Sequence, residues 1–187
     1  MTRLLKYDYT DEPSFTAAER NTVKILNNSI YTHKTLRINY TTYDNRRAQD
    51  YLNTTTHTDF MMLAHDELTH PYWYGRIIMI FHVKLLHTGP NSNLRDPQVL
   101  QVLQVRWFGM DPEFAGGWSA KRLHRVGFVP EADPLAFGFL DPAEVIRAVH
   151  LVPAFSQGRT SSLLGPTRLG RPGSDNNMDW YNYYVEM

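Results

Sequence analysis

Two segments of alternating apolar and polar residues constrain the fold of this chain more than any other feature. In residues 70–83 every odd position from Ile77 onward is apolar, whereas Arg76 and His82 occupy even positions. Residues 102–109 alternate in the same way. A two-residue period is that of a β-strand with one buried face. We therefore expect a long antiparallel pair of strands, joined by a polar loop.

Shorter patterns add elements on both sides of this pair. Thr16 and Glu19 have the spacing of a capping box and predict a short helix, which we expect to stop near Asn27. Asp141 followed by Pro142 predicts a second helix start, of one or two turns. Short apolar or alternating runs of strand-forming residues predict further strands at 36–41, 60–64, 146–152 and 180–185.

Together these elements predict a mainly β (α+β) fold, a small distorted β-barrel with one or two short helices. A chain of 187 residues, 42% of them apolar, has the size and composition to bury a core. We expect an N-terminal arm at 1–30, which carries the short helix, and a β-barrel-like domain at 31–187. Glycine, serine, proline and arginine are frequent at 157–177, which predicts a long exposed loop.

The composition excludes several classes of function. Cysteine is absent, so disulfides, thiolate metal sites and cysteine nucleophiles are ruled out. Nineteen basic residues balance nineteen acidic ones, so no overall positive field attracts nucleic acid or acidic lipid, although a local basic patch can still bind phosphates. No apolar run approaches the ~18 residues that a membrane span requires. We expect an intracellular protein with no membrane partner.

One hypothesis from the residues is a metal-dependent hydrolase. Its ligands would be His57, Asp59, His65 and His70, because zinc accepts nitrogen and oxygen ligands around an open position. Their spacing matches no known metal motif, and solvated loop residues are the alternative. No serine lies in a Gly-x-Ser-x-Gly turn, and no glycine motif that cradles phosphate is present. The sequence therefore predicts no catalytic residue, no metal and no cofactor.

A basic segment at 121–125 is the candidate for phosphate contact. Lys121, Arg122 and Arg125 can neutralise phosphates, which gives binding that depends on salt and is blind to sequence. In a strand, Lys121 and Arg125 would point to one face and Arg122 to the other. Cations on both faces suit an edge strand or a loop better than a core strand. The alternative is a solvated edge whose charges discourage strand-to-strand aggregation.

Five aromatic residues are candidates for contact with a peptide. Tyr72, Trp73 and Tyr74 are consecutive, so they cannot all face the core. Trp107 ends an alternating segment, and Trp118 follows two glycines. Exposed aromatic clusters bind methylated ammonium groups by cation–π attraction. The alternative is that these rings cap the core of a small barrel.

Longer strings give a more specific signal. They are LRINYTTYD at 36–44, HPYWY at 70–74, IFHV at 80–83, VRWFG at 105–109, RLHR at 122–125, FGFLDP at 137–142 and HLVPAF at 150–155. Over residues 30–187 these strings resemble the C-terminal region of Plavaka-type transposases from mushroom-forming fungi. The nuclease core of such a protein lies upstream of this region, so the resemblance carries no catalytic residue to any position here. It implies a fragment, a decayed copy or a domesticated remnant of a transposon protein.

The order of elements carries a second resemblance. Two long strands end at Trp107, an insert follows, and Asp141 precedes a strand at 146–152. This order resembles a bromo-adjacent homology (BAH) domain, which implies a distorted β-barrel that docks on chromatin. Members of that family commonly carry arginine and proline soon after the Trp-Phe pair, whereas Gly109 follows here. The resemblance therefore implies the barrel and not an aromatic cage.

The sequence thus favours a non-catalytic binding module of transposon origin that associates with chromatin or DNA. The expected partners are histone tails, nucleosomes or DNA, and the expected location is the nucleus. One alternative is a protein–protein interaction domain whose sheet edge is completed by a strand from a partner. The metal-dependent hydrolase is the other alternative.

Overall fold

The chain folds mainly into strands, which confirms the predicted fold class. The computed structural model describes residues 15–64, 70–89, 92, 96–167, 169, 171 and 176–186. The helical elements within them are α1 (Ala17–Arg20) and the 3-10 helices η1 (Pro142–Glu144) and η2 (Phe155–Gln157). The strands are β1 (Val23–His33), β2 (Thr35–Thr41), β3 (Arg47–Asn53), β4 (Asp59–Leu63), β5 (Tyr72–His87), β6 (Gln98–Met110), β7 (Arg125–Phe128), β8 (Phe137–Leu140), β9 (Val145–Ala148), β10 (His150–Pro153), β11 (Arg159–Thr160), β12 (Asp179–Trp180) and β13 (Tyr183–Glu186).

Nine of these strands form one sheet. Seven follow a single path in the order β10-β13-β7-β6-β5-β4-β9, while β1 pairs with β5 and β8 pairs with β6. The two alternating segments of the sequence are β5 and β6, and they are neighbours in this sheet, as predicted. Two small antiparallel pairs stand outside it, the hairpin β2–β3 and the pair β11–β12.

The chain separates into two compact units. The first comprises the described residues of 1–32 and 81–102, and the second comprises those of 33–80 and 103–187. The small core of the first unit consists of Val83 and Leu85, packed by Val23, Phe81 and Leu100. Residues 1–14 of the predicted N-terminal arm lie outside the described part of the chain.

In the second unit the sheet curls until its two end strands become consecutive along the chain. β9 pairs with β4 and β10 pairs with β13, yet Val149 alone separates β9 from β10. Val149 donates its backbone N–H to the carbonyl of Asp59 at 3.0 Å. These two end strands do not pair with each other, so hydrogen bonds do not close the predicted barrel. The two end strands are instead joined by the chain itself, through the single residue Val149.

Both faces of this curled sheet are covered by side chains. Strand β4 shows this most clearly. Phe60 and Met62 pack in one core of this unit, which we call the first core, and Met61 packs in the other, which we call the second core. The hairpin β2–β3 covers the first core through Ile38 and Leu52. The second core contains Met61, Tyr74, Phe108, Val126, Phe128, Leu151, Tyr183 and Val185. Successive side chains of β4 point to opposite faces of the sheet, and here each face is covered by a core, so neither face of this strand is open to solvent at Phe60, Met61 and Met62.

Three buried arginines are each held by a carboxylate. Arg76 donates to both oxygens of Asp59 at 2.7 and 2.8 Å. Arg106 donates to both oxygens of Asp179 at 3.1 and 2.9 Å, and Arg171 donates to the same two oxygens at 3.0 and 2.8 Å. Such paired geometry is what allows a charge to be buried. These pairs connect β4 with β5, and β6 with the C-terminal segment.

The segment after α1 is a strand, so the predicted continuation of the helix to Asn27 is wrong. The capping box of Thr16 and Glu19 forms as predicted, but the helix ends at Arg20. Asn27 and Asn28 adopt positive φ angles of 58° and 47°, which a right-handed helix does not accommodate. The segment pairs with β5 instead, and this tertiary pairing overrides its local preference.

Residues 157–177 are not wholly exposed, and the predicted loop is wrong at three of its described positions. Thr160, Leu164 and Arg171 are buried. Arg171 donates to the backbone carbonyls of Leu164 at 2.8 Å and Gly165 at 2.9 Å, as well as to Asp179. A segment rich in small and polar residues is thus held by one arginine whose acidic partner lies beyond it.

Candidate functional site

A tight hairpin loop presents Trp118 to solvent. Gly117 and Arg122 exchange backbone hydrogen bonds of 2.7 and 3.3 Å, and the N–H of Lys121 donates to the carbonyl of Trp118 at 3.1 Å. Positive φ angles of 98° at Gly117 and 51° at Lys121 allow the chain to turn so sharply. The side chain of Trp118 is 99% exposed, although large aromatic rings are usually mostly buried. We call residues 117–122 the Trp118 loop.

A cleft of about 550 Å³ lies beside this loop. It is lined by Gly117, Trp118, Lys121, Arg122, Leu123, His124 and Val185. Among the described residues that form this lining, two have cationic side chains and none has a carboxylate. The fold therefore brings together three of the residues predicted from the sequence, Trp118, Lys121 and Arg122.

Arg125 has a different role from its two basic neighbours. Its Nε donates to Asp111 at 2.7 Å, so its charge is already paired. Its guanidinium carbon lies 4.2 Å from the centre of the Phe114 ring, and that of Arg122 lies 5.8 Å from the same ring. Phe114 in turn contacts Tyr184 edge to face at 5.9 Å. Arg125 thus holds Asp111 and Phe114 in place beside the cleft, whereas Lys121 and Arg122 supply the positive charge of the cleft.

His124, which lines the cleft, contacts a second histidine, His70. The rings of His70 and His124 are 4.3 Å apart and nearly perpendicular. His70 is buried, and its Nδ1 lies 2.9 Å from the carbonyl oxygen and 3.2 Å from the backbone nitrogen of Tyr72. Burial, followed by the proximity of His70, lowers the pKa of His124 below its ordinary value. The lowered pKa disfavours the charged form of His124, so the positive charge of the cleft comes mainly from Lys121 and Arg122.

Four of the five predicted aromatic contacts lie against the cores. Tyr74 is buried in the second core, and burial, together with Tyr72, raises the pKa of its hydroxyl. Trp73 and Trp107 meet edge to face at 6.1 Å and pack against the first core. Tyr72 packs against the second core. Of the five, Trp118 is the one whose ring faces solvent.

The proposed metal ligands do not come together in the described part of the chain. Asp59 is engaged by Arg76, and the Nδ1 of His57 lies 3.1 Å from the hydroxyl of Thr56. His65 lies outside the described residues. Among those residues no group of three or more histidine, aspartate or glutamate side chains is placed to hold a metal ion.

Sequence reasoning assigned no role to Phe114, His124 or Val185. Val185 follows the alternation of the last strand, so its burial could be predicted but not its position beside the cleft. Phe114 lies alone in an irregular segment, where no periodic signal exists. Only the fold shows that it stacks on Arg125.

No protein-family model, curated protein or solved structure matches this chain. The resemblance to Plavaka-type transposases therefore stays a prediction from the sequence strings, and that to BAH domains a prediction from the order of elements. In the described residues, no helix has the length and hydropathy needed to span a membrane.

Proposed function

We propose that this protein is a non-catalytic DNA-binding module that contacts nucleic acid through the Trp118 loop. The observation that carries the proposal is the fully exposed ring of Trp118 beside Lys121 and Arg122, in a cleft whose described lining residues include no carboxylate. A nucleobase can stack on the exposed ring, and the two cations can neutralise the adjoining phosphates. The transposon origin and the nuclear location belong to the same proposal and come from the sequence strings.

The charge around Trp118 favours nucleic acid over a histone tail. A cage for methylated lysine surrounds a cation with aromatic faces, and further cations at its rim would repel that ligand. Lys121 and Arg122 are exposed, and neither forms an ion pair within the described residues. An anionic polymer with stacking bases fits this combination better than a basic peptide does.

The first prediction tests the stacking role of Trp118. We expect Trp118→Ala to weaken binding of a fluorescent oligothymidylate roughly tenfold, because one base loses its stacking partner. Fluorescence anisotropy at low salt measures this affinity. Trp118→Phe keeps an aromatic face and should retain most of the binding.

Matched charge variants complete the experiment. Lys121→Ala with Arg122→Ala should weaken binding, whereas Arg20→Ala with Lys24→Ala removes the same charge from exposed positions elsewhere and should not. Equal affinity of Trp118→Ala and the parent protein would sink the proposal. So would binding of trimethyllysine histone peptides in the absence of any binding to DNA.

A further inference from the structure

The hairpin β2–β3 has an outward face made of hydrogen-bonding side chains. Its cross-strand register pairs Thr35 with Asn53, Arg37 with Tyr51, Asn39 with Gln49 and Thr41 with Arg47. Because side chains alternate along a strand, these eight residues share one face. None of the eight is aliphatic and none is acidic, and two of them are arginines. We call this set the ribbon face.

The opposite face of the hairpin fixes it to the fold. Ile38 and Leu52 are buried in the first core. The one carboxylate of the two strands, Asp50, points inward and accepts the backbone N–H of Ala148 at 2.9 Å. The ribbon face is therefore presented to solvent from a rigid support, and the single acid of these strands is turned away from it.

Contacts along the ribbon face hold its side chains in order. The side-chain amide of Gln49 donates to Asn39, and the hydroxyl of Tyr51 donates to Gln49. The guanidinium carbon of Arg37 lies 5.3 Å from the centre of the Tyr51 ring. A connected row of this kind loses little freedom when it binds, which favours recognition of a fixed pattern of donors and acceptors.

We propose that the ribbon face reads base pairs in the major groove of duplex DNA. This inference rests on the proposed function, because it assumes that DNA is the partner. The major groove is about 12 Å wide and admits a two-stranded β-ribbon, whose strands lie about 4.8 Å apart. Two arginines without a carboxylate complement the charge of the flanking phosphates.

The residue types of the ribbon face match the donors and acceptors of base edges. Asparagine and glutamine can pair with the N6 and N7 atoms of adenine, and arginine with the O6 and N7 atoms of guanine. Asn39 and Gln49 lie directly opposite each other at the middle of the hairpin. The ribbon face would thus supply sequence preference, while Lys121 and Arg122 of the Trp118 loop supply phosphate contacts that are blind to sequence.

Selection from a randomised duplex pool tests this inference. The parent protein should enrich a short base motif, and Asn39→Ala or Gln49→Ala should change or erase one or more positions of it. The loss of preference should be roughly tenfold at an affected position, with affinity for random duplex nearly unchanged. Gln101→Ala, an exposed glutamine on β6, is the matched control and should enrich the parent motif.

Chemical replacement of the groove atoms gives an independent readout. When 7-deazaadenine replaces adenine in the selected duplex, base pairing is kept but the N7 acceptor of the major groove is lost. The parent protein should then bind the modified duplex more weakly than the unmodified one, and Asn39→Ala should bind the two duplexes alike. The two losses should not add, because Asn39→Ala has already removed the partner of the N7 atom.

Each result separates this inference from the proposed function. Salt-dependent binding to DNA without any enriched motif overturns the ribbon face as a reader and leaves the Trp118 loop as the binding site. An enriched motif that Asn39→Ala and Gln49→Ala both leave unchanged overturns it as well. Absence of binding to any DNA overturns both proposals.

Discussion

At the scale of single residues, one carboxylate links the C-terminal segment to a buried arginine of β6. Asp179 accepts from Arg106 and Arg171, and all three side chains are almost fully buried. The guanidinium carbon of Arg106 lies 3.7 Å from the centre of the Phe128 ring, while its Nε has no hydrogen-bond partner among the residues that the structure describes. Burial alone would raise the pKa of Asp179, but the two arginines hold it below its ordinary value.

Loss of this carboxylate should therefore be costly. We expect Asp179→Asn to lower the free energy of unfolding by about 3–5 kcal/mol, because two buried arginines lose their counter-charge. Urea denaturation measures the change. Asp44→Asn removes an exposed partner of Arg46 and should cost less than about 1 kcal/mol. Equal effects of the two substitutions would contradict the importance of the buried network.

The same carboxylate should make the fold sensitive to acid. The pKa of Asp179 is lower in the folded state than its unfolded value of about 3.9, so the unfolded chain binds more protons at low pH. The stability that the ionised carboxylate contributes is fully present above about pH 4 and is lost as pH falls through the folded pKa. A pH series of urea unfolding should show this loss in the parent protein and a smaller one in Asp179→Asn.

At the scale of elements, the Trp118 loop depends on the absence of a side chain at Gly116. A Cβ at this position would lie 2.8 Å from the Cα of His124 and 2.9 Å from the carbonyl oxygen of Leu123. Both of these atoms belong to the backbone, so neither can move aside without shifting the chain. The glycine therefore sets how closely the two sides of the loop approach.

Gly116→Ala should displace this loop. We expect a loss of about 1–3 kcal/mol in stability, as for other overpacked sites, together with weaker binding of oligothymidylate. Thermal unfolding and anisotropy measure the two effects. At Gly109 on β6 a Cβ would meet its nearest atom, in Val129, at 3.8 Å, an ordinary contact. Gly109→Ala should leave both quantities nearly unchanged, and a Gly116→Ala protein that matched it would contradict this account.

At the scale of the whole molecule, the positive and negative charges balance, and the buried arginines are paired with carboxylates. The formal net charge is zero, with nineteen basic and nineteen acidic residues. Arg76, Arg106, Arg125 and Arg171 are paired with carboxylates. Any attraction for nucleic acid must then come from local groups such as Lys121 and Arg122, and long-range steering by the whole protein is weak.

Binding to single strands should consequently depend only modestly on salt. Two neutralised phosphates give a slope of roughly −1.4 when the logarithm of the association constant is plotted against that of salt concentration. Anisotropy titrations of oligothymidylate at several salt concentrations measure this slope. Lys121→Ala with Arg122→Ala should bring it close to zero. A slope twice as steep in the parent protein would place further phosphate contacts outside the Trp118 loop.

Much of the secondary structure could be predicted because its causes are local. The alternation of β5 and β6, the capping box of Thr16 and Glu19, and the turn at Asp141 each depend on residues close in sequence. The side chain of Asp141 accepts the N–H of Ala143, as its position before Pro142 predicts. The strand formed by residues 23–33 could not be predicted in the same way, because its formation depends on pairing with β5.

The candidate site was predicted in part for the same reason. The basic residues at 121–125 and the glycines before Trp118 are visible in the sequence, and both identify an exposed, charged turn. The sequence could not show that Arg125 is paired with Asp111, or that Tyr74 is buried while Trp118 is exposed. Consecutive aromatics have the same chemistry, and only the packing of distant strands decides which of them reaches solvent.

The sequence by itself determined that this chain is mainly β, where β5 and β6 lie, and that a basic run at 121–125 follows β6. The tertiary structure alone decided that Val149 joins both ends of one curled sheet and that Asp179 is shared by two buried arginines. It also decided that Lys121 and Arg122 lie beside the exposed ring of Trp118. The physical reason is the distance along the chain over which each interaction acts. Alternation, capping and turn formation act between near neighbours in sequence, whereas burial and ion pairing depend on residues that only folding brings together.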